Sequence, residues 1–213
     1  AVTSLTEEGV DVPMRTVVDA VVARAAALWG DVDRADVAWR VRPDDLRLPD
    51  LRDNAYALKR LGGVLLRTDR YDESELRYRQ ALALDERALA LDDRPQTRYD
   101  ITFTLSDLAL VQSRRGRWDD AVALWTQALA IRKASVEADP RNVRAVGGVA
   151  TIYGRLGGAA RVAGDFRATA DRYRQELALR EDLLTRMGDR PSTRADRAWA
   201  ALRLAEALSD RAA

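Results

Sequence analysis

The sequence predicts an all-α fold in which antiparallel helix pairs stack into a right-handed superhelix, an α-solenoid. Three observations predict it. The stretch GRWDDAVALWTQALAIR, Gly116 to Arg132, reads as a turn followed by an amphipathic helix. Its Trp118, Ala121, Val122, Trp125, Ala128 and Leu129 fall at the i, i+3, i+4, i+7 spacing of one buried stripe. The same pattern occurs upstream in DRYDESELRYRQALALD (69–85) and downstream in GDFRATADRYRQELALR (164–180), offset by 47 and 48 residues. Finally, DDRPQTRYD (92–100) and GDRPSTRAD (188–196) repeat one phrase 96 residues apart, twice that period.

Taken in order, residues 1–12 are short and mixed and are expected to form a flexible tail. Residues 13–213 are expected to form a single repeat domain. Pro13 suits a first helical turn. A first pair, about 14–42, carries Val17, Val18, Val21, Val22, Ala25 and Leu28, then Ala35 and Trp39. Pro43 and Pro49 bracket a polar connector. The pair 51–91 opens with a helix over 51–68 carrying Ala55, Leu58, Leu61 and Leu65. The pair 96–138 opens with Ile101, Leu105, Leu108 and Val111, and Asp139-Pro140 separates it from the pair 142–187. Ser192 or Thr193 can cap a last helix, 192–211. That helix reads as a C-terminal cap with Arg197, Arg203, Asp210 and Arg211 for solvent. The total is about nine helices. All six prolines fall at expected helix boundaries or in connectors.

The pairs have to stack. Burying about six apolar side chains per helix gains roughly 1.5–3 kcal/mol each, whereas ordering a helix pair costs roughly 1–2 kcal/mol per residue. Only neighbours covering both faces close that gap.

Composition narrows the function. Lys+Arg is 35 and Asp+Glu 34, a net charge of +1, which argues against bulk nucleic-acid or anionic-membrane binding. Only Lys59 and Lys133 are lysines, so the bases are almost all arginine. With no Cys and no His, disulfides, thiolate chemistry, the usual zinc sites and an imidazole base are excluded. No cofactor or metal is expected. No run of 18 or more apolar residues spans a membrane. Nucleophile-elbow and phosphate-loop motifs are absent, so a non-catalytic protein is expected. The chain opens on Ala1 rather than Met and without a signal-peptide pattern, so it is expected to be a segment or processed product of a longer protein; the absence of cysteines leaves its compartment undetermined, with the cytoplasm favoured.

LGGVLLRTDRYDES (61–74) resembles the tetratricopeptide repeat. That family has Leu-Gly in the first helix, a turn Gly eight positions after the Leu, then an aromatic, a small residue, a second aromatic and an Ala. Here these are Leu61, Gly62, Asp69, Tyr71, Ser74, Tyr78 and Ala81. A second copy has Leu108, Ala109, Gly116, Trp118, Ala121, Trp125 and Ala128, and a third Leu156, Gly157, Gly164, Phe166, Thr169, Tyr173 and Glu176. Val22, Ala23, Gly30, Val32, Ala35 and Trp39 fit an N-terminal copy. The 47–48-residue period exceeds the usual 34. In this and in its QALAIR-type helix ending, the chain resembles the extended repeats of kinesin light chains and of bacterial kinase-associated signalling proteins. The resemblance implies a protein–protein interaction scaffold binding a peptide or partner domain on its concave face, as a regulatory segment of a larger bacterial signalling protein. A structural self-association module, giving a homo-oligomer, is the alternative.

By the same resemblance, the first helices line the groove. The groove positions are Tyr56, Lys59, Gly63 and Arg67; then Phe103, Ser106, Leu110 and Arg114; then Thr151, Gly154, Arg155, Gly158 and Arg161. The mixture of aromatics and bases implies a partner of acidic character, gripped by arginine. The family's carboxylate clamp fits poorly. Lys59 and Arg155 match it, but Gly63, Asp107 and Thr151 depart from it. Five glycines between 147 and 158 cost roughly 0.8–1 kcal/mol each against Ala in a helix, which close helix packing at Gly157 explains at one position.

Overall fold

A computed structural model describes residues 47–210. Seven helices, and no strand, are present among the described residues: α1 Leu48–Arg67, α2 Tyr71–Leu91, α3 Pro95–Arg114, α4 Trp118–Ala138, α5 Val143–Val162, α6 Phe166–Met187 and α7 Pro191–Asp210. The expected tail 1–12 and the pair 14–42, with Ala35 and Trp39, lie outside the described residues, as does Arg211. Helix ends agree with the sequence reading within a residue or so, except that α1 begins at Leu48 and so takes Pro49 into its first turn. A proline there forgoes only a donor that has no intrahelical partner.

The chain divides into two compact units, residues 1–84 and 85–213. In the first, α1 buries Leu51, Ala55 and Leu65, and α2 buries Tyr78, Ala81 and Leu84. The Tyr78 ring lies on Gly62, where a Cβ would come within 2.9 Å of it, and the Ser74 hydroxyl donates to the Gly62 carbonyl at 2.8 Å.

In the second unit, α3 packs on α4, α4 on α5, α5 on α6 and α6 on α7. Ile101, Leu105, Leu108 and Val111 are buried, as expected. So is Trp125, but Val122 of the same stripe is 37% exposed. Val122 sits one residue, about 100°, round the helix from fully buried Ala121, at the stripe's edge. The Tyr-on-Gly contact recurs, with a Cβ on Gly157 only 2.6 Å from the Tyr173 ring.

The repeat shows most plainly in its turns. Asp69, Gly116 and Gly164 adopt φ values of 58°, 75° and 75°. At each, the next amide donates back five residues: Arg70 to Leu65, Arg117 to Gln112 and Asp165 to Ala160, at 2.9–3.0 Å. This one turn, with a left-handed residue ending the helix, explains why glycine stands at two of the three positions. Thr193 is not an N-cap. It is the third residue of α7, and its hydroxyl donates back to Gly188 O and Arg190 O while accepting from Arg190 N. Pro191 takes the first helical position, which places Thr193 one turn too late to cap.

Candidate binding cleft

Within the second unit, the first helices α3, α5 and α7 are tied side by side. The Tyr99 hydroxyl of α3 donates to the Arg144 carbonyl of α5 at 3.0 Å. Arg180 of α6 reaches Thr151 of α5 at 3.0 Å and Asp196 of α7 at 2.9 Å. An open cleft of about 510 Å³ lies here. Tyr99, Phe103, Ser106, Asp107 and Leu110 line it from α3, and Arg144, Gly147, Gly148, Thr151 and Arg155 from α5, with Asp196 contributed by α7.

Arg132 of α4 is the buried centre of this wall, at 4% exposure. Its Nε donates to the Thr102 hydroxyl at 2.8 Å and its Nη1 to the Gly148 carbonyl at 2.9 Å. Its longer bonds go to Thr102 O and the Ser106 hydroxyl. All these acceptors are neutral. Burial pulls the guanidinium below the usual arginine range, Tyr99 and Asp107 opposing and Arg144 adding to the shift. Gly148 makes the arrangement possible, because a Cβ there would stand 2.6 Å from the Tyr99 hydroxyl and 3.0 Å from Arg132 Cδ.

Tyr99 and Phe103 meet edge to face, centroids 5.5 Å apart. Two guanidiniums share them. Arg132 lies 5.6 and 5.2 Å from their centroids, and Arg144 5.2 and 5.0 Å. Each such contact is worth roughly 0.5–2 kcal/mol, enough to hold exposed Arg144 over the rings. Arg155 reaches solvent, yet the cleft walls desolvate its guanidinium. That desolvation, with Arg203 and Arg114 nearby, pulls its pKa down, while Asp107 and Glu176 oppose. Four arginines against two aspartates leave the lining net positive. The buried indole N–H of Trp125, also in the lining, has no acceptor among the described residues.

Of the residues expected to line the groove, the structure brings Phe103, Ser106, Leu110, Thr151 and Arg155 together in this cleft. Arg114 is exposed and close enough to act on Arg155, but is not part of the lining. Arg161 is held by Asp210 at 2.8 Å and Glu206 at 3.5 Å. Gly154 packs against Glu176, and Gly158 lies 3.8 Å, by its Cβ position, from the Tyr173 hydroxyl. Tyr56, Lys59, Gly63 and Arg67 belong to the first unit, where Tyr56 is 64% exposed.

Sequence reasoning missed Arg132, Arg144, Tyr99 and Arg180. Arg132 lies in the C-terminal half of α4, at a position that reads as solvent-facing, and only its alignment with Arg180, 48 residues on, signals a shared inward role. Glu176 was readable as a departure, since it replaces the alanine of the other copies. It is 1% exposed and pairs with Arg203 of α7, whose side chain is half-buried at 38% exposure and not fully turned to solvent. Burial raises the Glu176 pKa, with Arg203 and Arg180 opposing. The glycine cluster is a packing device at three positions, Gly148, Gly154 and Gly157, not at Gly157 alone. No group of three or more His, Cys, Asp or Glu side chains able to hold a metal occurs among the described residues. No helix among them is long and apolar enough to cross a membrane.

A family model described as "Tetratricopeptide repeat" matches residues 104–135. No curated protein matches the sequence. Among solved structures, BtubC (BKLC) from P. vanneervenii is 16% identical, with 93% of this chain and 73% of that chain covered and a TM-score of 0.53. A putative kinesin light chain from Podosopora anserina with nearly identical TPR-like repeats is 15% identical, with 93% and 79% covered and a TM-score of 0.53. Identities this low speak to fold alone. The matched segment, the recurring turn and the helix pairs agree with one another, and residues 47–210 are folded as tetratricopeptide-like helix-pair repeats.

Proposed function

We propose that residues 85–210 form a binding module that takes a segment of a partner protein in the cleft of α3 and α5. Tetratricopeptide-like repeats are generally protein–protein interaction scaffolds. The observation that carries the reading is a pair of exposed arginines, Arg144 and Arg155, at an open cleft with an aromatic wall, neither held by a carboxylate among the described residues. Such a surface suits an acidic partner, because charge-assisted bonds from arginine to carboxylate are about twice as strong as neutral ones. A role as a regulatory segment of a bacterial signalling protein belongs to the same proposal and rests on the extended repeat alone.

The test is a peptide-display selection on the intact protein, followed by affinity measurement on Arg144→Glu with Arg155→Glu. Binders should lose at least tenfold. Unchanged affinity would move the binding face elsewhere. Self-association is favoured by one observation, the exposure of Trp199 (62%) and Leu202 (47%) on α7. Light scattering decides it, since a monomer at high micromolar concentration rules it out.

A further inference from the structure

Helix α7 carries a second surface, separate from the cleft. Ala198, Ala201, Ala205 and Leu208 follow i, i+3, i+7, i+10, one stripe of a helix. Ala201 is half-buried and the other three are exposed, Leu208 to 41%. Their counterparts on α3, 96 residues earlier, are Thr102, Leu105, Ala109 and Gln112, none more than 2% exposed. On α5, 48 residues earlier, Ala150 and Gly157 are buried and Tyr153 and Ala160 half-buried. A second helix covers these first helices, α4 on α3 and α6 on α5. The α7 stripe therefore continues an interface that this unit builds twice, and no second helix follows α7 among the described residues.

The covered copies specify what fits. In each, a buried ring stands sixteen residues after the small residue of the first helix: Tyr78 after Gly62, Trp125 after Ala109 and Tyr173 after Gly157. Both tyrosines lie on glycine, where a Cβ would come within 2.9 Å of the Tyr78 ring and 2.6 Å of the Tyr173 ring. An alanine has no room for a tyrosine seated this way, and where alanine does occur, at Ala109, the ring is tryptophan. Ala205 is the position of this kind on α7. We propose that the α7 stripe docks an amphipathic helix of a partner protein, antiparallel to α7, with a tryptophan between two alanines as in Ala121-Trp125-Ala128 and its indole over Ala205. A second copy of this chain does not supply that helix. Trp199 of α7 stands in the register of Phe103, off the stripe, and Trp125 is 2% exposed in its own pair.

The probe is a capped, labelled peptide of the α4 sequence, Trp118–Ala138, lactam-bridged on its solvent face so that helix nucleation does not limit binding. It is titrated into the intact protein and followed by fluorescence anisotropy. Ala205→Glu in the protein, or Trp125→Ala in the peptide, should weaken binding at least about tenfold. The Ala205→Glu protein should melt as the parent does, because Ala205 is exposed. A peptide with Trp125→Tyr should bind the parent worse than the tryptophan peptide, and Ala205→Gly should reverse that order. No binding, indifference to Ala205→Glu, or an order of the two peptides that Ala205→Gly leaves unchanged overturns the proposal. Dimerisation in light scattering that Ala205→Glu abolishes also overturns it, by assigning the stripe to a second copy. Arg144→Glu with Arg155→Glu should leave peptide affinity unchanged; a loss there would put the peptide in the cleft and overturn the α7 site while leaving the cleft reading intact.

Discussion

The second unit contains two successive seams built on one plan and finished differently. In each, an arginine in the C-terminal half of a second helix reaches between two first helices. Arg132 connects α3 to α5, and Arg180 connects α5 to α7. The first seam is aromatic. Arg132 is 4% exposed, bonded to neutral oxygens and flanked by Tyr99 and Phe103. The second is ionic, with Arg180 on Asp196 and the buried Glu176 on Arg203. One 48-residue period on, the positions of Tyr99 and Phe103 are taken by Gly147 and Thr151 of α5, so the second seam has no such wall. The second seam therefore neutralises its charge internally, whereas the first leaves positive charge facing the cleft. Binding chemistry collects at the first for that reason.

Substitutions can sharpen the contrast. The largest effect belongs to Trp125→Ala, since Trp125 is 2% exposed in the first seam; urea denaturation should show a loss of about 3–5 kcal/mol. Next comes Gly148→Val, which drives a side chain into Tyr99 and Arg132 and should cost about 1–3 kcal/mol. Gly147→Ala one residue earlier meets only Leu183, at 3.6 Å. It should be neutral or stabilise by up to about 1 kcal/mol, and equal losses at both glycines would contradict the packing described.

The ionic seam has a pH signature. Burial raises the Glu176 pKa, so the folded state holds this proton more tightly than the unfolded chain does. Stability from this group is then greatest at low pH and falls as pH rises from about 4.3 through the raised value. Glu176→Gln should remove that component, so the variant gains on the parent as pH rises across that window in denaturation series. The opposite slope would mean that Arg203 outweighs burial. The smallest effect expected is for Arg194→Ala, an exposed pair with Asp189 at 3.1 Å, at under about 1 kcal/mol.

The fold was legible because its signals are repeated. Asp69, Gly116 and Gly164 mark the same turn, and Pro95 and Pro191 the same helix start. A register error would have to occur three times over. The cleft was half legible. Phe103, Ser106, Leu110 and Arg155 follow from helical periodicity once the first helices are known. Arg132 and Tyr99 do not, because a buried guanidinium satisfied by Thr102 and a glycine carbonyl looks, in sequence, like any charged residue on a helix surface. Glu176 was visible as an anomaly, but its partner Arg203 reads as a surface residue of a last helix.

The central claim is that partner segments bind against α3 and α5 between Arg144 and Arg155. Site-specific photo-crosslinking tests it most directly. A photoreactive residue in place of Leu110, in the cleft lining, is compared with one in place of Val122, exposed on α4 outside it. Display-selected ligands should crosslink at 110 and not at 122, and the 110 product should fall with Arg155→Glu. Equal crosslinking at the two positions, or product at 122 alone, would contradict the account.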